Sequence, residues 1–256
     1  MKKSISNIAW SSEIEDDVLQ LLQEENIKYV ELAPTKVFGN WNPSDEEINI
    51  YLKKLETYDI KPCMFQAITF NKPELQLFDQ SSDFIYHIDN VISLAGDLGV
   101  KNLVFGSPKN RIIENISDEE QAINIFRILG SFGWKKGVSI GLEHNPIEYG
   151  GNWIHTASEA LDFVKRVNHP YFKIHLDTGA MYMTGEDIES TILKSLKWFD
   201  SIHLSQPMLS PSLSPVDFKS VIEILKNINY SGTVSIEMKN ENNTIETIKR
   251  ILQVYK

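Results

Sequence analysis

Four residues able to hold a metal ion terminate four strand-like segments in the second half of the chain. The segments are Gly137–His144 (GVSIGLEH), Phe172–Thr178 (FKIHLDT), Ser201–Ser205 (SIHLS) and Thr233–Met238 (TVSIEM); the residues are Glu143, Asp177, His203 and Glu237. Each segment alternates large aliphatics with small or polar residues. Ile140 and Leu142 have the opposite parity to Glu143, Ile174 and Leu176 to Asp177, Ile202 and Leu204 to His203, and Val234, Ile236 and Met238 to Glu237. Side chains two apart on a strand share a face, so all four candidates project away from the aliphatics. A single strand-end carboxylate is as readily a solvated rim ion pair. Three carboxylates and one imidazole at one point repel unless a divalent cation lies among them. One bound ion is therefore expected, with Mn²⁺, Mg²⁺ or Co²⁺ suited to the oxygen-rich set and Zn²⁺ a further option. Beside a hydroxycarbonyl compound, such an ion stabilises the enediolate formed when a carbon-bound proton leaves. Glu143 and Glu237 are the residues expected to take and return that proton.

Positioning these residues requires parallel strands whose ends converge. Strands are expected at Ile5–Trp10, Lys28–Ala33, Lys61–Gln66, Lys101–Gly106, Val138–Glu143, Lys173–Asp177, Ser201–Ser205 and Thr233–Met238, with amphipathic stretches between them. Ser44 before Glu47, Ser117 before Glu120 and Thr156 before Glu159 fit capping boxes at helix N-termini. Eight strand–helix units with no linker or composition break predict an α/β fold: a single-domain (β/α)₈ TIM barrel over residues 1–256. The long loops follow strands: Pro34–Pro43, Ala67–Gln80, Gly106–Ile116, Asn145–His155 and Gln206–Pro215. Barrel active sites are built from such loops.

Further pocket candidates follow from this layout. Glu31 and Gln66 fall at the ends of the second and third strands. Lys109 and Arg111, beside Gly106 in GSPKNR, are candidates for an anionic part of a substrate. Trp41 and Trp153, with Phe38, lie in strand-following loops where an aromatic face can pack on a sugar ring. His175 shares the parity of Asp177 one layer deeper and is expected in the core behind the ligands. His144 has the wrong parity for the pocket, and His87, His155 and His169 read as structural or solvated.

The composition narrows the function classes. A net charge of −10 opposes a nucleic-acid backbone partner. No run is long enough to span a membrane, and MKKSISNIAW has no apolar secretion core. A single cysteine, Cys63, excludes an internal disulfide and fits a reducing cytoplasm. A small-molecule substrate is expected, with homo-oligomerisation left open.

At these residues the chain resembles the xylose-isomerase-like TIM-barrel superfamily, and within it the sugar-phosphate isomerase/epimerase branch. The resemblance runs almost end to end through VELAPTKVF (30–38), FQAITFNKPELQLF (65–78), LVFGSPKNR (103–111), LEHNP (142–146), LDTG (176–179) and IHLSQPML (202–209). It implies a metal quartet on the fifth to eighth strands, carried over onto Glu143, Asp177, His203 and Glu237, with the two glutamates as the acid–base pair. It further implies a sugar or sugar phosphate as substrate and a role in carbohydrate or surface-polysaccharide biosynthesis. Two positions depart from the family pattern. Ala180 stands where many members have a histidine, and Leu209 where ketose epimerases have an arginine. The expected activity is isomerisation or epimerisation next to a carbonyl. A dehydratase using the same enolate is the main alternative, and a non-catalytic sugar-binding barrel a lesser one. A DNA-repair endonuclease is opposed by Ala180 and the acidic balance.

Overall fold

The computed structural model describes residues 1–79 and 81–256; Gln80, the last residue of the expected Ala67–Gln80 loop, lies outside the described residues. Eight parallel strands close into a barrel in sequence order: β1 (Lys2–Ser6), β2 (Tyr29–Leu32), β3 (Lys61–Phe65), β4 (Asn102–Phe105), β5 (Ser139–Glu143), β6 (Phe172–Asp177), β7 (Phe199–Ser205) and β8 (Thr233–Glu237). The register places Asp177 beside His203 and Ser205 beside Glu237. Among the described residues no helix is long and apolar enough to cross a membrane.

Strand parity divides the barrel into two chemically different layers. Outward-facing Ile5, Val30, Leu32, Leu103, Phe105, Ile140, Leu142, Ile174, Leu176, Ile202, Leu204, Val234 and Ile236 are buried against the helices. The helix Ser81–Asp97 meets them with Phe84, Ile88, Val91, Ile92 and Ala95, an apolar stripe at helical spacing. Phe126 stacks on Phe172 at 4.4 Å between ring centroids and completes an aromatic seam with Phe84, Phe105 and Phe163. The inward layer is largely polar, apart from a small apolar cluster of Cys63, Met64 and Val104. Asn102 donates to Ser139 Oγ (2.9 Å), Thr233 donates to Asn102 (3.2 Å), and His175 Nδ1 meets Ser201 Oγ at 2.8 Å, while His175 Nε2 and His203 Nδ1 are left unpaired toward the mouth.

Most expected strand ends shift by a residue or two, and two larger or more consequential differences appear at β1 and at one helix start. β1 occupies Lys2–Ser6 rather than Ile5–Trp10. The chain turns into a short 3₁₀ helix at Asn7–Ala9, capped by Ser6 Oγ accepting from Ile8 N–H, while Asn7 Oδ1 accepts from Ala33 N–H at 2.8 Å. The buried Ala9 and Trp10 that resembled a strand therefore lie beyond its end. The boxes at Ser44/Glu47 and Thr156/Glu159 form as expected, whereas the helix Ile116–Lys136 is capped by Asn115 with Asp118 instead of Ser117 with Glu120. The helix begins two residues earlier because the Asp118 carboxylate accepts from the N–H groups of Glu114 and Asn115, both at 2.8 Å.

Gly141 on β5 ties the fold to the site. A Cβ there would lie 2.9 Å from His175 Cβ and 3.4 Å from the Leu103 carbonyl oxygen. Gly141→Ala is expected to cost about 1–3 kcal/mol by overpacking the barrel interior, a Tm fall of roughly 3–10 °C for a chain of this size. A thermal melt unchanged from the parent would show that the interior has slack at this point.

Candidate metal centre and active site

The ends of β5 to β8 bring the four predicted residues together. Donor atoms of Glu143, Asp177, His203 and Glu237 all lie within 4.8 Å of one another. His203 is the hub: its Nδ1 stands 3.2 Å from Glu237 Oε2, 3.4 Å from Glu143 Oε1 and 3.8 Å from Asp177 Oδ2. That nitrogen is fully buried and makes no well-aligned hydrogen bond. On its other side Nε2 meets both oxygens of Glu31, at 2.9 and 3.1 Å. Glu31 in turn accepts from Ser235 Oγ at 2.7 Å. A carboxylate holding one ring nitrogen of a histidine turns the other toward a ligand position, as around bound metals.

Each carboxylate has its own support. Asp177 accepts from Ser205 Oγ at 2.8 and 2.7 Å and from the Ala180 N–H at 2.6 Å. Glu143 Oε2 accepts from Asn145 Nδ2 at 3.2 Å, and Gly106 leaves room for that carboxylate, since a Cβ there would lie 2.2 Å from the same oxygen. The electrostatics reflect the crowding. Burial, then the nearby Glu143 and Glu237, push the Asp177 carboxyl up to about 7 against the opposing pull of His203. Burial disfavours charge on His203, but Glu31 and Glu237 outweigh it and hold the imidazole well above its ordinary value. His175, buried behind the centre, is held well below its ordinary value by burial and by His203. The donor set, the unpartnered Nδ1 and the mutual repulsion of the carboxylates all fit a divalent cation.

Two cavities meet at Glu143 and Glu237. One, of about 330 Å³, is walled by Ser107, Pro108, Asn145, Tyr149, Asp177, Ala180, Met208 and Leu209. The other, of about 310 Å³, adds His203 and is walled by Ile8, Gln66, Ala67, Phe70, Val104 and Gly106. Ala180 and Leu209, the two departures from the family pattern, stand in the same chamber and make part of its wall apolar.

The other predicted contacts separate. Gln66 lines the second cavity, with its amide donating to Ser6 Oγ. Lys109 is exposed on an adjoining outer groove. Glu31 is fully buried behind His203 and meets no cavity, so it acts on the imidazole instead of on a substrate. Trp41 sets its edge against His87 at 4.8 Å, and Trp153 is buried against Phe163 at 4.9 Å; neither faces the cavities. Arg111 is the clearest correction. Its guanidinium is fully buried, 5.8 Å from the ring centroids of both Phe105 and Trp153, and donates to the Glu143 carbonyl and to Asn145 Oδ1, each at 2.8 Å. It braces the end of β5 rather than meeting an anion. His144 leaves the pocket as expected, and burial lowers it to about 4.

Sequence reasoning missed Asn145, Tyr149, Ser205, Ser235 and Met208. Ser205 and Ser235 carried a readable signal, each lying two residues from a quartet member and so on the same face. Asn145 continues the parity of Glu143 past the strand end. Tyr149 and Met208 sit in loops without periodicity and gave none.

The architecture defines a parallel (β/α)₈ barrel with an acid–imidazole centre at its C-terminal mouth. Beyond that class, the chain belongs to the Xylose isomerase-like TIM barrel family, whose sequence profile matches residues 19–256. It is 26% identical over 121 residues to a ketose 3-epimerase of Arthrobacter globiformis, a match covering 47% of this chain and 42% of that one. The matches to curated epimerases thus span about two fifths of those proteins' own length. An inosose dehydratase of Clostridium tetani is 23% identical over 279 aligned positions, covering 94% of this chain and 90% of the other. In fold, the chain superposes on a D-psicose 3-epimerase from Clostridium cellulolyticum H10 with a TM-score of 0.77 at 19% identity, covering 100% of this chain and 90% of that one.

The bracing role of Arg111 is open to measurement. Arg111→Ala strands the Glu143 carbonyl and Asn145 Oδ1 and leaves a gap between two rings, so it is expected to cost roughly 3 kcal/mol. Tm should fall on the order of 6–10 °C. A melt at the parental Tm would remove the bracing role.

Proposed function

We propose that this chain is a divalent-metal-dependent isomerase or epimerase of a sugar or sugar derivative, working by proton transfer next to a carbonyl. The observation that carries the reading is the convergence of Glu143, Asp177, Glu237 and the unpartnered His203 Nδ1 within 4.8 Å, on the wall of two cavities. The partial matches to ketose 3-epimerases support the substrate class. Glu143, Asp177, His203 and Glu237 would hold the ion, with Mn²⁺, Mg²⁺ and Co²⁺ suited to the donors. When bound, it supplies positive charge beside an oxygen that becomes anionic as the neighbouring carbon loses its proton.

The protein's own groups do the rest. Glu31 fixes the tautomer and orientation of His203. Ser205 and the Ala180 N–H hold Asp177 in one rotamer. Glu143 and Glu237 reach the cavities from β5 and β8, so one can remove a carbon-bound proton and the other return one. Among the described residues no lysine or cysteine lines the two cavities: Lys109 lies on the outer groove and Cys63 is buried, with burial raising its thiol to about 12. The buried thiol and the acidic surface support a cytoplasmic enzyme acting on a small molecule. A dehydratase is the second reading, favoured by the inosose dehydratase match over nearly the whole chain. In that case the carbanion expels a β-hydroxyl, and the product is lighter by one water.

Two measurements test the proposal. Glu143→Gln and Glu237→Gln keep size and one oxygen donor but remove the base. Each is expected to lower turnover roughly a hundredfold or more at saturating Mn²⁺, in a solvent-deuterium exchange assay on ketoses and aldoses. Near-parental turnover in either variant would reduce that glutamate to a ligand.

The second measurement is proton release. Without an ion, Asp177 keeps its proton up to about pH 7, far above an ordinary carboxyl. The unfolded chain sheds that proton first, so this group's contribution to stability declines as pH rises from about 4 to about 7. Ion uptake displaces the proton. Calorimetry in buffers of different ionisation enthalpy should therefore show more protons released per Mn²⁺ at about pH 6 than at about pH 8. Equal release at both, or undiminished Mn²⁺ uptake by Asp177→Asn, would remove Asp177 from the ligand set.

A further inference from the structure

Outside the two inner cavities lies a larger groove of about 790 Å³ that the proposed chemistry does not use. It is continuous with both. Ser107, Pro108, Tyr149 and Met208 line it together with the first cavity, and Ala67, Phe70 and Ser107 line it together with the second. Its rim holds large apolar side chains in solvent: Phe70 is 56% exposed and Met208 57%. Exposed apolar groups rimmed by polar ones mark binding grooves.

Backbone strain is concentrated on the same walls. Among the described residues, five that are neither Gly, Asn nor Asp have left-handed backbone: Ala67 (φ 53°), Ser107 (24°), Ile154 (60°), Met208 (57°) and Leu209 (55°). All but Ile154 line these three cavities. Such conformations persist where the surroundings over-determine them, and they cluster at ligand clamps.

The charge of the groove selects its occupant. Lys109 and Glu148 both border it and neither is in an ion pair among the described residues, while Lys72 is paired with Glu74 at 3.4 Å. A wall with one free cation and one free anion gives an anionic group no net attraction. It does offer a donor and an acceptor beside an aromatic face, which is what a second, hydroxyl-bearing sugar ring uses.

We propose that the groove binds a second sugar ring, so that the substrate is a reducing disaccharide. Its reducing-end sugar lies between Glu143 and Glu237, and its other ring lies against Phe70, Lys109 and Glu148. This direction follows from the chemistry, because only the reducing end carries the carbonyl that acidifies a neighbouring C–H. The inference rests on the sugar-isomerase reading above and narrows its substrate class.

The test compares the Mn²⁺-loaded protein on cellobiose, maltose and lactulose with glucose and fructose, by solvent-deuterium incorporation, and titrates the same sugars for binding. At least one disaccharide should exceed its parent monosaccharide in kcat/KM by about tenfold or more. Phe70→Ala and Glu148→Ala should each shrink that ratio severalfold, through KM rather than kcat. Monosaccharides that exchange while no disaccharide binds or reacts better would overturn the outer site and leave the isomerase reading intact. A disaccharide that binds, loses affinity in Phe70→Ala and exchanges no proton would keep the groove and refute the isomerase reading. Neither binding nor exchange with any of the sugars overturns both.

Discussion

Mutual repulsion among three carboxylates gathered around one imidazole is the constraint on which the mouth of this barrel depends. Left to themselves, Glu143, Asp177 and Glu237 would spread into solvent, and His203 would have no reason to stay beneath them. The fold denies them that freedom: the strands are hydrogen-bonded around a closed circuit, and the side chains emerge at fixed heights. The resulting negative potential is offset in part from within the protein, since His203 favours its proton and Asp177 retains its own. A centre so balanced would exchange those protons for a cation without the donors having to be gathered first.

Behind and beside this ring lies a second tier of contacts, of which Asn145 and Ala180 also wall the first cavity. Glu31 and Ser235 hold His203, Ser205 and the Ala180 amide hold Asp177, and Asn145 holds Glu143. Arg111 stands one step further back, fixing Asn145 and the backbone of Glu143 while burial lowers its guanidinium to about 10. A buried guanidinium without a carboxylate partner is costly by itself. Its two flanking aromatic rings and two oxygen acceptors supply what compensation the site offers.

How much of this was legible in the sequence depended on whether periodicity reached the residue. Glu143, Asp177, His203 and Glu237 were readable because strands impose a two-residue repeat and the aliphatic parity marks the opposite face. The barrel followed from eight repeats of strand and helix. The first strand was misplaced because its apolar tail serves other ends: Ala9 and Trp10 are buried within and just after a 3₁₀ turn that leaves no mark in hydropathy, and Ile8 lines a cavity. Arg111 and Trp153 were assigned to the pocket because they sit in strand-following loops, where sequence gives position along the chain but not direction. Their mutual stacking, which turns both inward, is a tertiary contact between the loops after β4 and β5. Glu31 was placed correctly on its strand but assigned to the pocket, since nothing local announces a histidine so far along the chain.

That last contact carries a consequence for how the protein acquires its centre. The quartet belongs to β5 through β8, but the residue that orients His203 belongs to β2, and 172 residues separate the two. A fragment comprising the second half alone would lack the carboxylate that holds the imidazole. The contact forms only when the early strands have met the late ones and the cylinder is complete. Closing a contact over such a span costs chain entropy that only the assembled barrel repays, so the orientation of His203 is a property of the whole cylinder and not of the four strands that carry the quartet.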